Sequence, residues 1–400
     1  MQEYLTTAAD RPVTLRFPRE EHDARIAATR ALLREEGLDA LLVFAQESHL
    51  YLTGYDTAGY VFFQCGMVTA AAGPLLLLTR RPDLAQALDA SLYDDVQLWF
   101  NAEGADPARD VARMLADLGL LDSGQRLGIE LATYGLTAAN FELLRAALRG
   151  RCELVDASHV VRGLRLVKSP AELVYVRRAA ALADNAVLAM IGAARPGALD
   201  SSITAAGVTA MLEGGGDMPA GGPLVNSGPR AIYGRGIGGA RRLTRDDQIV
   251  VELGASYCRY NCCIEHSIVL GAVNPAQQRM FDVAADALSR VIDAARPGTP
   301  IGALDDIHRA VLDKGGYARA RFSACGYSLG ATFRPTWMDV PPMIYSGNPL
   351  PLRSGMVLFC HIMIGDGETG LAAGVGQSFV ITEAAPENLS TLPVVLNHPA

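Results

Sequence analysis

The chain has 400 residues, of which half are apolar and a fifth are charged, so we expect a folded protein with more than one domain. Its formal net charge of −8 argues against nucleic-acid binding, because no basic face is available to neutralise phosphates. The most apolar run, Ala70–Thr79, is too short to cross a bilayer, and the polar start of the chain lacks a secretory signal. Together with seven scattered cysteines, these features predict a cytoplasmic protein with reduced thiols and no membrane partner.

The residues up to about 160 alternate between apolar strands and amphipathic helices, which predicts a smaller α/β domain. The predicted helices are Asp23–Gly37, Pro107–Leu118 and Ala138–Leu148, and the predicted strands are Leu38–Phe44, Val68–Thr79, Val96–Trp99, Leu127–Glu130 and Glu153–Val155. The basic stretch Val160–Lys168 is predicted to be extended. We place the domain boundary within this stretch, so that the two domains cover residues 1–162 and 163–400.

The second domain is predicted to begin with a long helix. Ser169 followed by Glu172 three residues later is a capping box, with Pro170 at the first helical position, and the helix should reach about Ala194. The pattern after this helix is mostly strands, and the further predicted helices are Asp200–Glu213, Pro275–Ala295 and Ile301–Lys314. A strand-rich segment with a few helices predicts the α+β class.

Six segments of the second half, in this order, resemble the creatinase–prolidase–aminopeptidase P superfamily. They are VKSPAELVYVRRAAALAD, VNSGPRAIYGRG, DDQIVVELGASYCRYNCCIEHSIVLG, GYSLGATF, PLRSGMVLF and SFVITEAAPENLS, and YLTGYDTAGY in the first half also fits. The resemblance implies a C-terminal pita-bread catalytic domain preceded by a creatinase-type α/β domain. It further implies a homodimer in which the N-terminal domain contributes to the partner's active site.

The metal-binding positions of the superfamily's peptidases are altered in this chain. Those peptidases hold two divalent metals with two Asp, one His and two Glu, and a further His lines the pocket. The resemblance implies that the five ligand positions and the pocket His fall on Glu252, Cys263, Tyr327, His361, Gly376 and Arg235. A bridged pair of hard cations needs several carboxylates, so we expect no metal cofactor.

Strand periodicity sorts the side chains around these positions. Side chains alternate along Tyr260–Val269, so Asn261, Cys263 and Glu265 share one face, which the resemblance at position 263 makes the pocket face. His266 should point away and be structural. In the same way, His361 should point inward from its strand and Cys360 outward.

Creatinase and ectoine hydrolase, two metal-free members, resemble this chain around Glu265 and Glu252, which implies a site for a cationic C–N group. We expect Glu252 to attack the substrate carbon or to act as general base, and His361 to carry protons. Glu265 would anchor a positive group, and Tyr327 would donate to a developing negative charge. Cys263 is a thiolate nucleophile in one interpretation and a small buried thiol in another. Structural roles for Glu252 and His361 remain open.

Further residues are candidates for substrate binding. Arg235 would bind a substrate carboxylate or pair internally, and Trp337 would form a pocket wall or pack a turn on the core. The other candidates are Asn261, Tyr233, Asp339, Arg334 and, from the N-terminal half, Tyr55, Tyr60 and Phe63. A core aromatic cluster is an equal alternative for Phe63.

The favoured function is a metal-independent hydrolase of a small C–N compound, such as an amidine, a guanidino acid, a cyclic amidine or an amide. Its substrate would be small and polar, with cationic or zwitterionic character. Three alternatives remain open: a lyase, cyclase or isomerase on the same scaffold, a binding module without activity, and an Xaa-Pro metallopeptidase, which the missing ligands disfavour.

Overall fold

The structure is a computed structural model that describes residues 13–122, 124–236 and 239–399. The chain divides into two compact units between Arg165 and Leu166, close to the boundary that the sequence predicts. Within the described ranges, no helix combines the length and the apolarity that a bilayer span requires.

The first unit is built around one six-stranded sheet. Its strands are β1 (Ala40–Val43), β2 (Cys65–Thr69), β3 (Leu76–Arg80), β4 (Asp95–Trp99), β5 (Arg126–Ile129) and β6 (Glu153–Asp156). They lie in the order β4-β3-β2-β1-β5-β6. The helices are α1 (Arg19–Glu35), α2 (Gln46–Thr53), α3 (Leu84–Asp89), α4 (Pro107–Asp117), α5 (Ala138–Leu148) and α6 (Ser158–Arg165).

Strand β1 shows how this sheet is covered on both faces. Leu41 and Val43 pack into one apolar core with residues of α1, α2 and α6. Ala40 and Leu42 pack into a second apolar core with residues of α4 and α5. Every residue of β1 is therefore buried, as expected for a central strand of an α/β layer.

Two predictions in the first unit are wrong. The predicted strand Val68–Thr79 is two antiparallel strands, β2 and β3, because Gly73-Pro74 turns the chain between them. The predicted extended stretch from Val160 begins inside α6 instead. Val160 and Val161 are buried against the first unit's core, and this burial stabilises the helix.

The second unit is an antiparallel sheet with two pairs of helices. The strands are β7 (Leu224–Ser227), β8 (Gln248–Tyr257), β9 (Tyr260–Val269), β10 (Gly326–Ser328), β11 (Met343–Ile344), β12 (Val357–Gly365), β13 (Ala372–Val380) and β14 (Glu387–Asn388). Their order is β11-β10-β12-β13-β9-β8-β7, with β14 beside β13. The helices are α7 (Pro170–Ala193), α8 (Asp200–Glu213), α9 (Pro275–Ala294) and α10 (Ile301–Lys314).

The two helix pairs cover different parts of this sheet. Residues of α7 and α8 share an apolar core with β8 and β9. Residues of α9 and α10 share another with β12 and β13. The arrangement confirms the predicted α+β class, and it leaves the opposite side of the central strands available for a site.

The register of the central strands brings four key positions into one row. Glu252 on β8 is paired with Glu265 on β9, and Glu265 is paired with Gly376 on β13. Gly376 is in turn paired with His361 on β12. Because directly paired residues project to the same face, the side chains of Glu252, Glu265 and His361 are close together.

The predicted capping box at the start of α7 is present. The Ser169 hydroxyl accepts a hydrogen bond from the Glu172 backbone N–H at 3.2 Å, and the Glu172 carboxylate accepts one from the Ser169 N–H at 2.8 Å. The hydroxyl of Tyr260 on β9 also donates to Glu172, at 2.8 Å. The cap therefore fixes both the beginning of the helix and its position on the sheet.

The substitution Ser169→Ala should lower the free energy of unfolding by about 1 kcal/mol, because one helix-end N–H loses its acceptor. Urea unfolding followed by circular dichroism measures this change. Ser202→Ala on the exposed face of α8 is the matched control and should change stability by less than about 0.5 kcal/mol. Equal stabilities of the two variants would contradict the capping role.

Candidate active site

A cavity of about 440 Å³ lies against the row of paired residues in the second unit. Its polar lining includes Arg235, Glu252, Tyr327 and His361. The apolar lining is supplied by Leu224, Phe322, Trp337, Met338 and Met343. A concave apolar site with a few converging polar groups is the usual form of a small-molecule site.

Three ionisable side chains converge at the base of this cavity. A carboxylate oxygen of Glu252, a carboxylate oxygen of Glu265 and a ring nitrogen of His361 all lie within 4.8 Å of one another. Glu252 is half-buried, whereas Glu265 is only 2% exposed. The Glu265 Oε2 atom is 3.7 Å from Nδ1 of His361, too far for a direct hydrogen bond.

Glu265 has an unusually high affinity for protons. Burial, and then the nearby Glu252 carboxylate, raise the pKa of Glu265 well above its usual range. Glu265 therefore holds its proton at neutral pH, since a second buried negative charge beside Glu252 is unfavourable. Burial also lowers the pKa of His361, so its imidazole is neutral. The site thus contains an acid, a neutral imidazole and a solvent-accessible carboxylate.

A short chain of hydrogen bonds fixes Glu252. The Tyr327 hydroxyl donates to Glu252 Oε1 at 3.1 Å, and the indole N–H of Trp337 donates to the Tyr327 oxygen at 2.8 Å. Burial raises the pKa of Tyr327 well above its ordinary value, so the phenol keeps its proton for this bond. Trp337, predicted as a pocket wall, is both a wall and an anchor for Tyr327.

The Cys263 thiol does not have the environment of a nucleophile. Its side chain is 1% exposed, and burial raises the pKa of the Cys263 thiol well above its usual value. Both of these features favour the buried-thiol interpretation. Asn261, on the same face, uses its amide to bind the carbonyls of Arg259 and Gly330 and the hydroxyl of Thr332. It is placed to connect loops and lies outside the cavity lining.

The remaining substrate-binding candidates of this unit are spread around the cavity. Arg235 lines it and is exposed, whereas Tyr233 lines only a smaller adjoining chamber. Arg334 is exposed and Asp339 is buried, and neither belongs to the lining. No hydrogen bond or ion pair joins Arg235 to another described residue.

The three candidates from the first unit have different environments. Tyr55 is fully buried, and Phe63 is 4% exposed and packs edge-to-face on Phe44. Their burial fits the core alternative better than contact with a ligand. Tyr60 is half-buried on a short turn. A contribution of these residues to a partner's site stays a prediction.

Strand alternation placed the neighbouring residues correctly. His266 is buried on the other face, with its Nδ1 at 3.0 Å from the amide nitrogen of Asn397, and burial lowers its pKa to about 4. Cys360 lies in the apolar core beneath β12. Sequence reasoning missed Phe322 and Met343 in the cavity wall, which no local motif marks, and Asn226 below it, which lies in the VNSGPRAIYGRG segment but was not singled out there.

An aromatic stack fills the space beside Gly376. The Phe359 and His361 rings are stacked, with centroids 5.2 Å apart and planes 20° apart. A Cβ atom at position 376 would lie 2.7 Å from Phe359 Cζ and 2.9 Å from His361 Cβ. The backbone at this position is therefore too closely covered for any side chain, including a carboxylate ligand.

Comparisons with known proteins agree with this architecture. A family model described as metallopeptidase family M24 matches residues 174–383, and one described as the creatinase/prolidase N-terminal domain matches residues 25–167. An ectoine hydrolase from Halomonas elongata is 25% identical over 402 residues, which cover 95% of this chain and 98% of that protein. An Xaa-Pro dipeptidase from Pyrococcus furiosus is 30% identical over 206 residues, and these span 52% of this chain and only 58% of that relative.

Solved structures share the fold at low identity. A prolidase from Thermococcus sibiricus superposes with a TM-score of 0.84 at 19% identity, covering 94% of this chain and 99% of that one. A dipeptidase from Mycobacterium ulcerans superposes with a TM-score of 0.82 at 24% identity, and the match covers 96% of this chain and 99% of that one. The two matched domains define a creatinase/prolidase-type chain with a pita-bread catalytic unit. This chain belongs to metallopeptidase family M24, and the relatives named here are hydrolases.

The pair of metals that the family name implies does not fit the residues of this chain. Gly376 offers no ligand, and its surroundings exclude one. Cys263 is a buried thiol, and the Tyr327 oxygen is engaged with Trp337 and Glu252. Among the described residues around this cavity, the carboxylate oxygens of Glu252 and Glu265 and a ring nitrogen of His361 lie close together, and these three are too few for a bridged pair of hard cations.

Gly376→Ala should destabilise the chain by about 1–3 kcal/mol, because the new methyl group would collide with the Phe359–His361 stack. Chemical unfolding of purified protein measures the loss. Gly367→Ala is the control, since a Cβ there meets nothing within 4 Å. Equal stability of the two alanine variants would show that the Phe359–His361 stack can accommodate a methyl group at position 376.

Glu265→Gln should stabilise the chain increasingly as the pH rises. An unfolded glutamate releases its proton near pH 4.3, whereas folded Glu265 retains it, so wild-type stability falls by up to about 1.4 kcal/mol per pH unit above about pH 4.3. Glutamine does not ionise, so the variant does not lose stability in this way as the pH rises. The difference in stability between the variant and the wild type should vanish below about pH 4.3. Thermal unfolding between pH 4 and 8 measures it, with exposed Glu383→Gln as control. A difference that does not change with pH would refute the buried acid.

Proposed function

We propose that this chain is a metal-independent hydrolase of a small C–N compound, such as an amidine, a guanidino acid, a cyclic amidine or an amide. The observation that carries the proposal is the pair of opposed glutamates, one a half-buried carboxylate and the other a buried acid, within 4.8 Å of each other and of a neutral histidine. Two carboxyl groups with separated proton affinities can act as the base and the acid of one reaction.

In the proposed reaction, Glu252 acts as the general base. It takes a proton from a water molecule whose oxygen bonds to the electrophilic carbon, while Tyr327 and Trp337 hold the carboxylate in place. Glu265 gives the proton that the nitrogen receives, by way of His361 once the two side chains close the 3.7 Å between them, and the C–N bond breaks with its electron pair on nitrogen. The reaction consumes one water molecule, and the oxygen of this water stays bonded to the carbon. The proton that Glu252 takes from the water replaces the proton that Glu265 gives to the nitrogen.

The cavity lining supports a substrate with an anionic group. Arg235 stands on the cavity wall with no ion-pair partner among the described residues, and a guanidinium binds carboxylates in a bidentate manner. Glu252 at the base of the cavity favours a polar or cationic C–N group. A zwitterion that carries a carboxylate at one end therefore fits best, and the Trp337 ring supplies an apolar contact between the two ends.

A lyase, cyclase or isomerase is the second candidate. The observation in its favour is the burial of Glu265, because an acid shielded from solvent can return a proton to the substrate without water as a reactant. Mass spectrometry of the product formed in ¹⁸O-labelled water separates the two candidates. Oxygen incorporation supports hydrolysis, and turnover without incorporation supports the second candidate.

A metallopeptidase that acts on Xaa-Pro dipeptides, the activity named for the archaeal relatives, would need a metal centre for which this chain lacks the ligands. We therefore expect elemental analysis of the purified protein to find less than one transition-metal ion per chain. Turnover of a panel of amidines, guanidino acids and amides should survive prolonged treatment with chelator. Two tightly bound metal ions per chain would overturn the proposal.

Glu252→Gln should lower kcat by about 10²–10⁴-fold, because an amide cannot accept the proton of the attacking water. Steady-state kinetics on whichever compound of the panel is turned over measures the effect. Glu383→Gln removes an exposed carboxylate and is the matched control. Full activity of the Glu252→Gln protein would remove the residue on which the proposal mainly depends.

A further inference from the structure

A second, smaller chamber of about 30 Å³ adjoins the main cavity. Glu252 and His361 belong to the walls of both spaces, together with Leu224, Gly234 and Phe322. The small chamber continues towards the sheet, where it is lined by Asn226 and Glu265. A molecule in it would be next to Glu252, on the side away from bulk solvent.

Three residues of this chamber carry a buried polar atom that has no hydrogen-bond partner among the described residues. These atoms are Oδ1 of Asn226, Oε2 of Glu265 and Nδ1 of His361. Asn226 and Glu265 are 4% and 2% exposed. Buried polar groups are normally paired, and leaving three unpaired around one space is costly.

The orientation of Asn226 is set by its other amide atom. Its Nδ2 group donates to the backbone carbonyl of Tyr233 at 2.8 Å, so Oδ1 is left as a free acceptor. On β7, Asn226 is paired with Val250, two residues before Glu252 on β8. Asn226 and Glu252 therefore project from the same face of the sheet.

We infer that this chamber holds one ordered water molecule, bound by Asn226, Glu265 and His361, and that this water is the one Glu252 activates. The volume suits a single water, which needs two to four polar partners. Asn226 Oδ1, Glu265 Oε2 and His361 Nδ1 are its hydrogen-bond partners, and the Glu252 carboxylate accepts the proton that it loses as it attacks the carbon. Asn226 becomes a positioning residue.

The role of this water rests on the proposed hydrolase function, but its presence does not. In the reaction, the water gives one proton to Glu252 as its oxygen bonds to the substrate carbon, and the C–N bond then breaks as described above. Asn226 touches neither the substrate carbon that is attacked nor the nitrogen that leaves. Its part is to hold the water on the side of Glu252 where the main cavity and the chamber meet.

A crystal structure of the chelator-treated protein, at a resolution that shows ordered solvent, tests the binding of the water. We expect one peak within roughly 2.7–3.1 Å of the three unpaired atoms, without anomalous signal at transition-metal edges. An anomalous peak would show that Glu252, Glu265 and His361 hold a metal ion instead, and an empty chamber would show that no ligand is bound. Either of these results overturns the inference.

The variant Asn226→Leu tests the role of the water. Its side chain should fill the chamber and remove the peak, and kcat should fall about 10- to 100-fold with little change in KM, because substrate contacts lie in the main cavity. Asn226→Ser keeps a hydroxyl oxygen that can accept from the water without adding a charge and should retain more activity than the leucine variant, and exposed Asn101→Leu is the control. Equal losses in kcat for the leucine and serine variants would contradict a water-positioning role.

Two results distinguish failure of this inference from failure of the proposed function. A water peak in the chamber together with turnover that incorporates no ¹⁸O from solvent would leave the water site standing and refute the hydrolase. Incorporation of ¹⁸O with unchanged kcat in Asn226→Leu would support the hydrolase and refute the assignment of this water.

Discussion

The site depends on one electrostatic constraint: Glu265 is buried directly opposite Glu252 in an antiparallel strand pair. The two residues are paired across β8 and β9, and a like charge beside a buried carboxyl group disfavours its ionisation. Glu265 is the deeper of the two, so the proton stays on it. The strand register thereby converts two identical residue types into an acid and a base.

The other end of the same row is Gly376, a position where the resemblance implies a metal ligand. Gly376 leaves room for the Phe359–His361 stack, which occupies the space over its backbone. The stack also limits the movement of the His361 ring, since Tyr327 packs against both aromatic neighbours. An aromatic contact thus holds in position a side chain that metal coordination would otherwise hold.

Much of this site could be predicted because strand alternation is a local property. A period of two residues, together with the family resemblance that identified the pocket face, placed Glu265 and His361 towards the pocket and His266 and Cys360 away from it. Cross-strand register is not local, so the contact of Gly376 with the aromatic stack could not be read from the sequence. The helix α6 was missed for a related reason, since burial of its valines depends on a core formed by distant segments.

Asn226 shows the same limit for a polar residue. Its importance arises from three unpaired atoms that meet in one small chamber, and these atoms come from β7, β9 and β12. Each residue alone has a common structural explanation, and nothing in the VNSG segment distinguishes this asparagine from one that only closes a turn. Asn226 is identified only when the hydrogen-bond donors and acceptors around the chamber are compared in three dimensions.

The hydrogen bonds from Trp337 to Tyr327 and from Tyr327 to Glu252 give Glu252 a polar environment that Glu265 does not share. A donor bond from Trp337 to the phenolic oxygen makes the Tyr327 hydroxyl a stronger donor towards Glu252, and such chains are mutually reinforcing in a low-dielectric interior. Trp337 can hold this position because Gly254, two residues beyond Glu252, has no side chain, and a Cβ there would lie 2.9 Å from the indole. The cavity wall and the base are therefore fixed to each other. The tyrosine orients the Glu252 side chain while burial raises the pKa of Glu265, so the two glutamates have different environments.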